Sequence, residues 1–264
     1  MKKMDTYPLF KPKYLFKYRN WADEYHQETL RDLEIYFTSP KHFNDPFDSA
    51  IPVRYTENFL KLKLDEYFIT HRPNLKSGKR KKLVKDFMRN IASNESFSEW
   101  LESQQKEIHY ETTGVFSLTP DPFNSLMWSH YAKSHKGFLI GFDTKEFDKH
   151  LTNQTLKIGE ATGKYLLLRK VKYLEKYPWF DASKMEDEEF LNPLLSKSKI
   201  WEYEDEWRAL MTTREHRIIP NRERKLTIPS NVIKCVIFGI EISSSHKEEI
   251  INLISDFTTD IQLY

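Results

Sequence analysis

The densest concentration of reactive side chains lies in Trp201-Glu202-Tyr203-Glu204-Asp205-Glu206-Trp207-Arg208. Read as the start of a strand from Glu204 to Met211, it places Glu202, Glu204, Glu206 and Arg208 on one face. Trp201, Tyr203 and Trp207 fall on the other, because successive side chains of a strand point to opposite sides. Neighbouring carboxylates on such a face lie roughly 7 Å apart and repel when ionised. The row therefore suits a site that uses negative charge, with Arg208 as its nearest countercharge. It would equally serve as the solvated face of an edge strand.

Other segments offer complementary chemistry. Tyr14-Leu15-Phe16-Lys17-Tyr18-Arg19 ends on an arginine flanked by aromatics, where a planar guanidinium would grip a phosphate, or a structural carboxylate, through two hydrogen bonds. Asn44-Asp45-Pro46-Phe47-Asp48 gathers two carboxylates and an amide. These would coordinate calcium or magnesium, but beside a proline we expect them to bond their own backbone and shape a turn. Between Leu126 and Gly137, helical spacing groups Met127 with Tyr131 and His130 with Ser134, a core face with a histidine edge. His130 would act as ligand, acid–base group or satisfied buried histidine. No metal site is expected, since the nine histidines never show the H-E-x-x-H spacing and Cys235 has no cysteine partner. Residues 61–90 hold ten Lys or Arg against three acids, including Lys79-Arg80-Lys81-Lys82. With Tyr67, Phe68 and Phe87 nearby, this is a candidate nucleic-acid surface, or simply a solvated helix face.

The elements that position these groups follow from periodicity. Strands are expected at 14–19 and 34–38 with a helix over 28–33 between them, then an irregular loop over 39–48. Spacings of three and four from Thr56 to Thr112 predict a helical insertion. Beyond it come a strand at 114–119, a helix over 124–134 and a strand at 137–143. Further strands are read at 165–173, 204–211, 225–228 and 232–240, then a helix over 245–257 and a short strand at 261–264. The expected fold is α+β, a single domain over 1–264 with a mixed, split sheet and a basic helical insertion at about 56–112.

Composition narrows the classes. The 264 residues carry 41 Lys plus Arg against 39 Asp plus Glu, a formal charge of +2, so a nucleic-acid partner would need a local patch. Aromatics at 14% supply the core that a hydrophobic content of 39% would leave thin, which excludes general disorder. Seven glycines include neither G-x-G-x-x-G nor a P-loop. A lone cysteine fits a reducing cytoplasm. The charged start lacks an apolar stretch after it and no run nears the roughly 20 apolar residues of a membrane span, so neither secretion nor membrane insertion is expected.

Four motifs together resemble an uncharacterised bacterial domain family: the opening strand Phe16 to Arg19, F-N-D-P-F-D at Phe43 to Asp48, M-W-x-H-Y-A at Met127 to Ala132 followed by H-K-G, and W-x-Y-E-x-E-x-R at Trp201 to Arg208. A second, looser resemblance is to ADP-ribosyltransferases of the arginine, serine, glutamate type, through Arg19 and Glu204-x-Glu206. The serine would be Ser39 or Ser117. That resemblance implies a split-sheet core and NAD as the substrate consumed. Glu206 would be the catalytic carboxylate with Glu204 in support. Arg19 would sit on the diphosphate, and Tyr18 or Tyr131 against the nicotinamide, with His130 nearby. It further implies a toxin or phage-defence effector acting on nucleic acid or protein, with a regulatory protein partner. The residues alone leave two other readings open: a metal-dependent phosphodiester hydrolase using Glu204, Glu206, Asp45 and Asp48, and a non-enzymatic binding module using the basic helices.

Overall fold

A computed structural model describes residues 10–49, 53–54, 56–92, 95–176, 180–181, 189–213, 217–257 and 260–264. The chain opens with β1 (Tyr14–Arg19), α1 (Glu24–Arg31), β2 (Glu34–Tyr36) and β3 (Val53–Arg54). Three insertion helices follow, α2 (Glu57–His71), α3 (Ser77–Ala92) and α4 (Glu95–Thr112). Next come β4 (Thr113–Leu118), α5 (Ser125–Tyr131), β5 (Phe138–Asp143), α6 (Thr144–Thr162), β6 (Lys164–Lys170), β7 (Lys172–Leu174) and β8 (Phe180–Asp181). The last elements are β9 (Ser196–Ser198), β10 (Trp207–Thr213), β11 (Lys225–Thr227), β12 (Ile233–Phe238), α7 (Ser244–Ser255) and β13 (Gln262–Leu263).

The fold is α+β with mixed sheets. One sheet runs β1-β5-β12-β13, antiparallel except for the last pair, and the other runs β4-β10-β6, all antiparallel. They meet where Phe16 and Thr119 exchange backbone hydrogen bonds of 2.7 and 3.0 Å. β1 and β4 then diverge, so the residues after Phe16 and before Thr119 face each other across a gap. The main core packs Leu15, Phe138, Ile140 and Phe142 of the first sheet against Phe116, Leu168 and Ala209 of the second, closed by Phe147 and Leu151 of α6 and by Ile250 of α7. Gly141 is required where β5 passes under Cys235, because a Cβ there would collide with the Cys235 sulfur.

The structure departs from expectation at identifiable points. Helix α6 follows β5 directly, capped by the Asp143 carboxylate, which accepts from the Glu146 amide; its few apolar residues gave too weak a periodic signal among polar neighbours. The 39–48 loop holds a short 3-10 turn over Pro40–His42, since a proline at the first helical position loses no hydrogen bond. Helix α5 stops at Tyr131, short of the expected Ser134, because Lys133, Ser134 and His135 adopt left-handed backbone. No described helix is long and apolar enough to cross a membrane.

Candidate functional site

The gap between the sheets opens into a cavity of about 460 Å³. Its base is built on β10. Trp207 and Ala209 enter the main core, so Glu206 and Arg208 face the other way, with Leu210. Arg208 lies in register with Ser117 of β4. The alternation read from the sequence therefore applies from Glu206 onward. It fails before that: residues Lys199–Glu204 form a 3-10 helix, and Asp205 turns left-handed with φ 42°. Glu202 consequently points to solvent and not into the cleft, while Trp201 and Tyr203 are half-buried at the surface rather than in the core. Glu204 and Glu206 still converge, brought together by the turn at Asp205 and not by a shared strand face.

Five charged side chains pack at this base, each 5% exposed or less: Asp48, Lys197, Glu204, Glu206 and Arg208. The Lys197 ammonium lies 2.6 Å from Glu204, 3.2 Å from Glu206 and 3.3 Å from Asp48. Arg208 donates to both Glu206 oxygens at 2.8 and 3.0 Å, to both Asp48 oxygens at 2.8 and 2.7 Å, and to the Leu194 carbonyl at 2.6 Å. Three carboxylates against two cations leave one surplus negative charge. Burial alone would raise the Glu206 carboxyl, but Arg208 and Lys197 hold it well below the usual carboxylate range. Burial would likewise ease proton loss from Lys197, but Glu206, Asp48 and Glu204 keep it charged.

Neighbours orient the two glutamates. The Tyr131 hydroxyl donates to Glu204 at 2.7 Å, its own proton held by burial and by that carboxylate. The Glu206 amide donates to the Tyr173 hydroxyl at 2.7 Å, and the Ser117 hydroxyl supports the ionised Glu206 carboxylate. Lys197 reaches the cluster because β9 pairs in parallel with β7, Lys197 opposite Tyr173.

The facing wall is cationic and comes from β1. Arg19 lies over the Phe116 ring at 5.7 Å, and its buried Nε has no hydrogen-bond partner among the described residues. Buried donors are almost always satisfied, so an orphan lining a cavity marks a place for an acceptor. Burial lowers the Arg19 pKa to about 10 and, with Arg19 beside it, lowers that of Lys17 to about 7. His26 also lines the cavity; burial first, then Arg19, lower it to about 4, and its Nδ1 accepts from the Asn20 amide. His130 and Tyr131 complete the rim from α5.

Of the residues singled out from sequence, Tyr18, Arg19, Ser117, His130, Tyr131, Glu204 and Glu206 line this one cavity. Ser39 does not: its hydroxyl donates to the Tyr110 carbonyl at 2.7 Å and caps the 3-10 turn by accepting from Lys41. Tyr18 is held in the wall, its hydroxyl on the Asp121 carbonyl and its ring edge-on to Trp128. The 44–48 loop splits in role. Asp45 shapes a turn by accepting from the Phe47 amide and also accepts from the Trp201 indole, whereas Asp48 turns inward as a charged member of the cluster. No group of three or more His, Cys, Asp or Glu among the described residues is arranged to hold a metal. In the insertion, Lys79, Lys81 and Lys82 are exposed, but Arg80 pairs with Asp65 and leaves the basic face. Lys17 and Lys197 line the cavity without having been singled out from the sequence. Nothing marks Lys197 within Leu195-Ser196-Lys197-Ser198-Lys199; Lys17, sharing a strand face with Arg19, was readable.

Residues 127–209 match the model of a family described as a protein of unknown function (DUF2971). That span includes Tyr131, Lys197, Glu204, Glu206 and Arg208, but not the β1 wall, Asp48 or Ser117. No curated protein and no solved structure matches the chain.

Proposed function

We propose that the cavity takes NAD and breaks its nicotinamide–ribose bond, passing ADP-ribose to an acceptor. The observation that carries this reading is the convergence of Arg19, Ser117 and Glu206, from β1, β4 and the head of β10, on one cavity. The charge distribution supports it. A dinucleotide brings a negative diphosphate, suited to Arg19 with its unpartnered Nε. It also brings a ribose that gains positive charge as the bond breaks, suited to a carboxylate cluster with one surplus negative charge. Glu206, fixed by Arg208, Ser117 and Tyr173, is the carboxylate set against C1′. Glu204 supports it, and Tyr131 or Tyr18 flanks the nicotinamide. A metal-dependent hydrolase is less well supported, because Asp48, Glu204 and Glu206 already accept from Lys197 and Arg208, and a metal would have to displace both cations.

For the acceptor we propose a nucleic acid held by Lys79, Lys81 and Lys82 on the exposed face of α3. Nicotinamide release from NAD, followed by chromatography with RNA, DNA or protein present, tests the whole reading. Turnover is expected, with a loss on the order of 10²- to 10³-fold in Glu206→Gln. Reversing Lys79, Lys81 and Lys82 to Glu should lower nucleic-acid modification in a salt-dependent way and leave hydrolysis by water unchanged. NAD left intact by the wild type with every acceptor, or undiminished turnover by folded Glu206→Gln, would sink the assignment.

A further inference from the structure

Breaking the nicotinamide–ribose bond also requires somewhere for a proton to go. The acceptor, water or a hydroxyl, must lose one as its oxygen bonds to C1′, and both glutamates are poorly placed to take it. The Glu206 oxygens are engaged by Arg208 and Lys197, and those of Glu204 by Tyr131 and Lys197. Arg208 and Lys197 hold the Glu206 carboxylate in its ionised form, which makes it a weak base, and both Glu204 oxygens already accept from donors.

Lys17 is differently placed. It stands on β1, one turn of the pleat before Arg19, and lines the same cavity. Its Nζ has one hydrogen-bond partner among the described residues, the Ser117 carbonyl at 2.7 Å, and lies 4.9 Å from the Phe116 ring centre. Among the described residues it pairs with no carboxylate. Donation to Ser117 uses one N–H and ties the amine to the residue whose hydroxyl supports Glu206.

We propose that Lys17 is the catalytic base, its neutral amine taking the proton of the attacking water or hydroxyl. This rests on the NAD reading. The acceptor oxygen forms a bond to C1′, and the bond from C1′ to the pyridinium nitrogen breaks with its electron pair on nitrogen. Nicotinamide leaves neutral, and the acceptor proton passes to Lys17 Nζ and from there to solvent.

The surroundings poise the amine for this. Burial comes first and Arg19 second in lowering its pKa to about 7; Lys197 adds to this, while Glu206 and Glu204 act against it, and His26 on α1 faces the same space without charge at neutral pH. A lysine near 7 is half neutral at neutral pH and a stronger base than an ionised, salt-bridged carboxylate.

The test separates a base from a phosphate-binding cation. In single-turnover NAD hydrolysis by the wild type, the rate should rise about tenfold per pH unit below about 7 and level off above it. Lys17→Arg keeps the charge but cannot accept a proton, so it should lose on the order of 10²- to 10⁴-fold. Competitive acetylation of the wild-type protein across pH, read by peptide mass spectrometry, should show Lys17 titrating near 7 even where the variant does not fold. A rate that falls with rising pH, full activity in Lys17→Arg, or labelling with an ordinary lysine profile overturns the base and leaves the NAD reading standing. NAD untouched by the wild type overturns both.

Discussion

At the scale of single residues, the charge count of the buried cluster decides which substitutions it tolerates. Lys197→Met would leave Asp48, Glu204 and Glu206 facing Arg208 alone, two surplus negative charges in a site almost closed to solvent. Removing one partner of a buried charge set costs on the order of 3 kcal/mol or more. Glu204→Gln moves the other way in charge: two carboxylates against two cations are neutral, and the amide oxygen still accepts from Tyr131, although the amide nitrogen cannot accept from Lys197 as the second carboxylate oxygen does. Losing the charged hydrogen bond from Lys197 should cost about 1.5–3 kcal/mol, still less than Lys197→Met. Urea unfolding of the two variants should rank them in that order; equal losses would show that the surplus charge carries no weight. Glu206→Gln lies between, because it gives up half of its two-point pairing with Arg208, so its activity has to be read on protein shown to be folded. Arg208 was legible in the sequence as the countercharge to the carboxylate row. Lys197 was not, since it joins the cluster through the pairing of β9 with β7 and not through any local spacing.

At the scale of elements, the strands and insertion helices were readable because each has its own period, whereas the site depends on the places where periodicity stops. Tyr14 to Arg19 alternates, Phe138 to Asp143 is a short continuous apolar run, and both are strands. Trp201 to Glu204 alternates just as well, yet winds as a 3-10 helix, because Ser198 and Asp205 set its ends and the Asp45 carboxylate anchors the Trp201 indole. Chain-distant anchors of that kind leave no trace in a local pattern. The end of α5 is similar. Lys133, Ser134 and His135 take φ of 51°, 53° and 66°, and the turn then passes so close to β1 that a side chain on Gly137 would strike the Arg19 carbonyl. A left-handed residue other than glycine costs roughly 1–2 kcal/mol, of which the chain entropy of a glycine takes back up to about 1 kcal/mol. Ser134→Gly should therefore stabilise the protein by up to about 1 kcal/mol, while Ser129→Gly, inside α5, should destabilise it by about 0.5 kcal/mol. Thermal midpoints moving in the same direction for both would remove the strain argument.

At the scale of the whole molecule, a cavity walled by buried ionisable groups ties folding to pH, with a sign fixed by each group. His26 is lowered from 6.5 to about 4, so below 6.5 the unfolded chain takes up a proton that the folded chain refuses, and stability falls as pH drops towards 4. Glu206 is held below its ordinary 4.5 by its cations, so its contribution is complete above 4.5 and is lost as pH falls further. Lys17 is lowered from 10.5 to about 7, so stability climbs between 7 and 10.5, where the unfolded chain still holds the proton, and is unaffected by this group below 7. All three therefore favour the folded state at higher pH, each in its own window. The urea midpoint should rise from pH 4 to 6.5 and again from 7 towards 10.5. His26→Gln should flatten the first rise and Lys17→Met the second, each leaving the other in place. Because Lys17→Met acts on stability whether or not any substrate is present, a second rise that survives this substitution would mean that Lys17 holds its proton as an ordinary lysine does, and the cavity would then face its ligand with two permanent cations on β1.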